Sequence, residues 1–521
     1  MYLAKLKNDP KLLKIFLAAL ILQVLIGWAV ATIKLSAIPS LVSATHVMVS
    51  LVILGTLTAL LAFSFYYQNI EKTNIRISLR SRFGRMSLAL LSMIFVLLLS
   101  GMLVTDSQSG LSCASWPLCA GRIIPVDLAG WINVAHRTVV ILTSLMMVVV
   151  WVQAWRTQRS QTPILVSTTV GMVLFIAQAL MGAKLVEGFP VNQVLLHQAT
   201  AVAVWIAFMV QVVMTGLAGR STHDELEEAA QIQGRKGLWK DFLALTKPIV
   251  VVLLLVTTFA GMVIGAQEWP RFGVVLWTLL GGFMAAGGSG AINQYIDRVD
   301  DSKMQRTQKR PIPAGRLTPG EGLAFGVAMV ISSFYIFVAF VNFLAALLVL
   351  AGIAYYVLVY SIILKKTTAQ NIVIGGGAGA IPPLVGWAAA TGGLNAPALF
   401  LFAIVFMWTP PHFWALALVR RKDYARAGIP MLPVVRGEKE TRWQIFLYTA
   451  GLVVLTLLLP IFGLGGSIYL FSAVLFGVWL MMAAWKVWKL GGNKLAWKMY
   501  RYSSMYLAFL FLALMVDRLI S

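Results

Sequence analysis

The sequence predicts an all-α polytopic membrane protein of about 15 transmembrane helices, six in a first bundle and nine in a second, and three observations carry that prediction. Of its 521 residues, 59% are hydrophobic and only 12% charged, against about 25% charged in an ordinary soluble protein. Apolar runs of about 20 residues, long enough to cross a hydrocarbon core as helices, recur from Leu13 to Leu519. The cations gather in alternate loops, as the positive-inside rule requires of a chain that crosses the bilayer repeatedly. The net charge of +23 therefore reads as loop charge beside a lipid bilayer, and no nucleic-acid partner is expected.

In chain order, the first apolar run follows Lys5, Lys7, Lys11 and Lys14. It is long and lacks a small-residue cleavage site, so it reads as a retained anchor with the N-terminus inside. Basic loops then alternate: Lys72 to Arg85, Arg156 to Arg159, Arg235 to Lys247, Arg298 to Arg316, Lys365 with Lys366, Arg420 to Arg442, and Lys486 to Lys494. The intervening loops hold only Lys34, Arg122, Lys184 and Arg271 as cations. This places the N-terminus in the cytoplasm and the C-terminus outside. One polar segment, Gly219 to Asp241, carries Asp224, Glu225, Glu227 and Glu228 before Arg235 and Lys236. It is read as a cytoplasmic linker (219–241) between membrane domains 1–218 and 242–521, which share no evident repeat.

The second domain carries the clearest chemistry. In AINQYIDRVDDSKMQRTQKRPIPAGR, residues 291–316, an apolar Gly-rich helix reaches the cytoplasm and turns polar. Asn293, Asp297 and Asp301 are spaced by four, which stacks their side chains on one helix face. Two carboxylates and an amide at a membrane edge suit Mg²⁺, which takes one or two carboxylates and completes its shell with substrate phosphates. Arg306, Lys309 and Arg310 follow and would neutralise the remaining phosphate charge. Taken singly, those cations fit an ordinary cytoplasmic loop equally well; the spaced Asn and Asp do not. Lys365 and Lys366, and the island after WTPPHFWALALVRRKDYARAGIPMLP with Arg420, Asp423 and Tyr424, fall on the same side. Together they would close a diphosphate site.

In the first domain, three of the five histidines, His46, His136 and His197, lie within apolar helices. By the topology above, all three share one depth near the outer surface. Two neutral imidazoles from different helices clamp a haem iron well. Zinc is disfavoured, because no acid accompanies them in the membrane. Histidines merely bonding between helices are the plainer alternative. Cys113 and Cys119, the only cysteines, sit in an outward loop, where a disulfide is favoured and a redox-active pair is the alternative.

The second domain resembles the UbiA superfamily of intramembrane prenyltransferases, and within it the protoheme IX farnesyltransferases. The likeness runs through LTKP (245–248), NQYIDRVDDSKMQRTQKRPIPAGR, NIVIGGGAGAIPPLVGWAAATG, WTPPHFWALAL and DYARAGIPMLP. Other superfamily members usually carry a second motif of several spaced acids where this chain has Asp423 alone, which points to haem as acceptor. The resemblance implies a nine-helix bundle that binds farnesyl diphosphate through Mg²⁺ on Asn293, Asp297 and Asp301, transfers farnesyl to a vinyl group of haem b with addition of water, and releases diphosphate. It also keeps His412 as a candidate haem contact, beside the plainer reading of a hydrogen-bonded helix-end histidine.

The first domain resembles haem A synthases through GLSCASWPLCAG, the AHR at 135–137 and the run LMGAKLVEGFPVNQVLLHQATA. The resemblance implies that His136 and His197 match the pair binding a haem b cofactor and that His46 matches half of the other pair. Two helices of that fold, with a further His and a glutamate, have no counterpart, so haem oxidation by this chain alone is not expected. A haem-binding, electron-transfer or delivery role is expected instead, in a bacterial inner membrane, beside a haem A synthase or oxidase assembly factors. Two rival readings stand: prenylation of an aromatic quinone precursor within the same fold, and an electron carrier or transporter whose carboxylates bind a coupling ion.

Overall fold

The computed structural model describes residues 39–67, 77–106, 124–186, 191–232 and 237–520, with Ser112, Cys113, Ser115, Cys119 and Gly121 of one loop. The first expected span, from Leu13, lies outside the described residues, as do Lys34, Lys72, Arg122, Arg235 and Lys236. Every regular element described is helical. Of these helices, 14 are long and apolar enough to cross a membrane, and the chain divides into two compact units, residues 1–235 and 236–521. It is a multi-pass membrane protein.

The first unit contains α1 (Pro39–Tyr67), α2 (Arg82–Asp106), α3 (Leu128–Thr157), α4 (Thr162–Leu185), α5 (Val191–Ala218) and the short α6 (Thr222–Ile232). Local chemistry sets their starts. Asp127 accepts from Gly130 N at 2.7 Å to open α3, and Pro163 occupies the first turn of α4, where its missing N–H costs nothing. Ser221 and Asp224 bond each other's backbone N–H to open α6. Two acids on α6 then tie down the transmembrane ends. Buried Glu225 accepts from Phe83 N and Gln158 Nε2, each at 3.3 Å. Glu228 accepts from Ser160 N at 2.8 Å and pairs with Arg220 at 2.6 Å.

The second unit opens with an eight-residue amphipathic helix, α7 (Leu238–Leu245), which packs Phe242 on Phe325 and leaves Trp239 exposed. Nine spans follow. They are α8 (Pro248–Ala266), α9 (Phe272–Asp301), α10 (Pro319–Phe340), α11 (Phe343–Ala354), which continues as a π-helix over Tyr355–Leu364 and a last turn at Lys365–Thr367, and α12 (Asn371–Thr391). After them come α13 (Ala396–Val419), the short α14 (Arg421–Arg426) and α15 (Leu432–Val435), α16 (Gly437–Leu458), α17 (Ser467–Leu490) and α18 (Asn493–Ile520).

Helix contacts around α9 depend on absent side chains. A Cβ on Gly288 would stand 2.7 Å from Gly326 O of α10, and one on Gly386 of α12 would collide with Thr258 O of α8. The core of this unit is buried Trp414, Tyr469 and Tyr506. Both tyrosine hydroxyls meet Thr456, at 2.8 and 3.0 Å, so neither of these phenols is buried unpaired. The loops after α9, after the turn at Lys365–Thr367, and after α13 fall at one end by strict alternation of direction, and the candidate site is built there.

Candidate active site

Asn293, Asp297 and Asp301 share one face at the end of α9, and all three are buried. Asn293 donates to Asp297 Oδ2 at 2.8 Å and to Ser361 Oγ at 3.1 Å. Cations arrive from other elements. Lys365 pairs with Asp297, Arg310 with Asp301 at 2.6 Å, and Lys366 with neighbouring Asp300 at 2.5 Å. The second oxygen of Asp297, Oδ1, is buried and has no hydrogen-bond partner. A buried carboxylate oxygen without a donor is costly unless a cation satisfies it, so the donor set fits a hard divalent ion.

The π-helix delivers Ser361 and Lys365. Its widened turn lets Ser361 Oγ donate to Tyr356 O at 2.9 Å, five residues back. Tyr356 and Tyr360 stack at 5.7 Å. Tyr356 lies within electrostatic reach of Asp297, Asp301 and Arg310, and Tyr360 within reach of Asp297, Arg306 and Tyr424.

Sequence reasoning missed Lys247 as a site residue. It sits just before Pro248 in the left-handed region at φ 54 and donates from Nζ to Asn293 Oδ1 at 2.7 Å. Burial, then the positive charges of Arg310 and Lys365, push its ammonium down to about 7 against the pull of Asp297 and Asp301. A lysine immediately ahead of an apolar span is the signal that marks it.

The remaining expected residues are placed less centrally. Arg306 and Lys309 are exposed, without an ion pair among the described residues. Arg420 is exposed at the end of α13, whereas Asp423 and Tyr424 are buried, Asp423 lying 3.9 Å from Arg426. His412 is buried with Nδ1 2.8 Å from Ser503 Oγ, its ring stacked between Trp408 at 4.3 Å and Tyr500 at 4.4 Å. Those contacts make it a packing residue of the α13–α18 contact in this conformation.

In the first unit, His136 and His197 lie within electrostatic reach of each other. Each ring lies over a glycine: a Cβ on Gly101 would be 3.2 Å from His136, and one on Gly182 3.0 Å from His197. Ser100 Oγ lies 2.8 Å from both Leu97 O and His136 Nδ1. Gln178 meets His197 Nε2 at 2.9 Å, and Nδ1 of both His46 and His197 is buried without a partner. Cys113 and Cys119 are disulfide-bonded, and Arg137 pins their loop by donating to Ser115 O and Cys113 O at 2.8 and 3.2 Å.

Residues 254–512 match the UbiA prenyltransferase family and residues 2–209 match a family described as cytochrome oxidase assembly protein. The chain is thus a prenyltransferase preceded by a region similar to cytochrome oxidase assembly proteins. A protoheme IX farnesyltransferase of Roseiflexus sp. (strain RS-1) is 42% identical over 463 residues, 85% of each chain. The protein of that name from Symbiobacterium thermophilum is 49% identical over 280 residues, 53% of this chain and 94% of its own. A solved UbiA homolog from Archaeoglobus fulgidus, bound to DMAPP and Mg²⁺, is 16% identical and covers 53% of this chain and 99% of its own, with a TM-score of 0.43. This chain belongs to the protoheme IX farnesyltransferase family.

Proposed function

We propose that the second unit transfers farnesyl from farnesyl diphosphate to a vinyl group of haem b, adding water and releasing diphosphate, to give haem o. The observation that carries the site assignment is the buried, unpartnered Asp297 Oδ1 among converging cations. Asn293, Asp297 and Asp301 would hold Mg²⁺, which when bound supplies positive charge to the departing diphosphate oxygens. Lys365 and Arg310, paired with Asp297 and Asp301, are the cations that exchange carboxylate for diphosphate oxygens. Lys247 holds Asn293 in place, and exposed Arg306 and Lys309 take the outer phosphate charge. Lys366, Arg420, Asp423 and Tyr424 complete the rim. As the allylic C1–O bond breaks, its electron pair leaves on diphosphate; the vinyl group attacks C1, and water captures the resulting cation with loss of a proton. His412 would support the haem through the aromatic wall it shares with Trp408 and Tyr500.

The orientation follows the cations: cytoplasmic N-terminus, outer C-terminus, in a bacterial inner membrane. The proposed membrane domains are 1–218 and 242–521, joined by a cytoplasmic segment whose helices α6 and α7 belong to the first and second unit respectively, and the product would pass to a haem A synthase or an oxidase assembly factor. A second reading concerns the first unit, where the buried, unpartnered Nδ1 atoms of His197 and His46 and the nearness of His136 to His197 favour bound haem b. The test is purified protein with haem b, farnesyl diphosphate and Mg²⁺, with extracted haem read by mass spectrometry. Haem o should form, should vanish with a chelator, and should fall about 100- to 1000-fold with Asp297→Asn. Haem b returned unchanged from folded wild type would redirect attention to a quinone-precursor acceptor or a carrier role.

A further inference from the structure

Away from the active site, α16 and α17 enclose an open cleft of about 310 Å³ lined by Phe446, Met481, Met482, Trp485 and Lys486. An exposed apolar stripe on α17, Phe471, Val474, Leu475, Val478, Met482 and Trp485, runs into it at the three- and four-residue spacing of one helix face. At the mouth the surface turns basic. Lys486 and Lys489 are exposed and have no carboxylate partner among the described residues. Lys489 Nζ lies 3.9 Å from the Trp488 ring centre and 5.1 Å from that of Trp485. Arg442 of α16 reaches the same end: its guanidinium packs against Gly491, and its Nε is buried without a partner. The acids at the start of α16 are already engaged, Glu440 by Gln444 at 2.8 Å and Glu438 by Arg421 at 3.1 Å.

We propose that this cleft is a binding site for an anionic glycerophospholipid, its acyl chain along the α17 stripe and its phosphodiester at Lys486, Lys489 and Arg442. Apolar burial alone would accept any lipid chain. The charge balance selects among them: a zwitterionic headgroup brings an ammonium to three cations that outnumber the one un-ion-paired carboxylate nearby, Glu440, whereas a glycerol headgroup brings only its negative phosphate. Tryptophans beside the lysines set the headgroup depth, as aromatic residues do at a membrane interface.

The test uses the purified full chain in detergent with phosphatidylglycerol or phosphatidylcholine carrying the same photoactivatable acyl chain, followed by digestion and mass spectrometry. Labelling of residues 481–486 should be roughly tenfold stronger with phosphatidylglycerol. In Lys486→Gln/Lys489→Gln it should fall to the phosphatidylcholine level. Equal labelling by the two lipids, labelling confined to other helices, or a double variant labelled like wild type would each overturn the proposal. The wild-type comparison decides alone if the variant does not fold.

Discussion

Two atoms of one side chain separate structure from chemistry at Asp297. Oδ2 is occupied by Asn293 and Lys365, while Oδ1 faces no donor. Asp297→Asn should therefore lower haem o formation about 100- to 1000-fold, as loss of a preorganised charge does, measured per folded molecule. Lys247 donates to Asn293 a hydrogen bond worth about 0.5 to 3 kcal/mol across its neutral and ammonium forms, and at about 1.4 kcal/mol per factor of ten Lys247→Met should raise KM for farnesyl diphosphate about twofold or more. The first residue was legible from the sequence because Asn293, Asp297 and Asp301 share one helix face by spacing alone. The second was not. Lys247 stands 46 positions from Asn293 and reaches it through a left-handed conformation, whereas the residue before a proline ordinarily takes an extended one. His412 was equally opaque, because its partner Ser503 lies 91 positions away on another helix.

Among the elements, the spans follow directly from apolar length, but their contacts follow from where side chains are missing. Gly386→Ala should cost about 1 to 3 kcal/mol or more, the range for forcing atoms into a packed interface, because Thr258 O on the facing helix is backbone and cannot rotate away. Gly379→Ala on the same helix meets nothing within 4 Å and should be neutral to stabilising by up to about 1 kcal/mol. Thermal unfolding of both variants in detergent makes the comparison, and equal melting shifts would refute the close crossing. The clasp of α6 is a second element-scale test: Glu225→Ala leaves Phe83 N and Gln158 without their acceptor, a loss of about 1 to 3 kcal/mol visible as a lower melting temperature. The π-helix was not legible. Nothing in YYVLVYSIIL breaks a regular helix, and the widened turn is defined by partners elsewhere, Ser361 on Asn293 and Lys365 on Asp297.

For the whole molecule, the apolar runs made the spans readable, whereas the structure divides the chain between residues 235 and 236, late in the polar run that begins at Gly219. What composition could not convey is how independent the two halves are. Each unit has its own compact set of helices, every proposed diphosphate ligand lies in residues 236–521, and the Symbiobacterium thermophilum relative matches the second half over 94% of its own length. A domain with its own core folds alone, so residues 236–521 expressed by themselves should convert haem b to haem o at a rate within about tenfold of the full chain. Residues 1–235 alone should make no haem o, yet should bind haem b with a low-spin spectrum that His136→Ala abolishes and Ser100→Ala shifts. If the isolated second unit is folded but inactive, the first unit contributes to prenyl transfer itself, and the haem it holds would then have to be followed through the reaction as substrate.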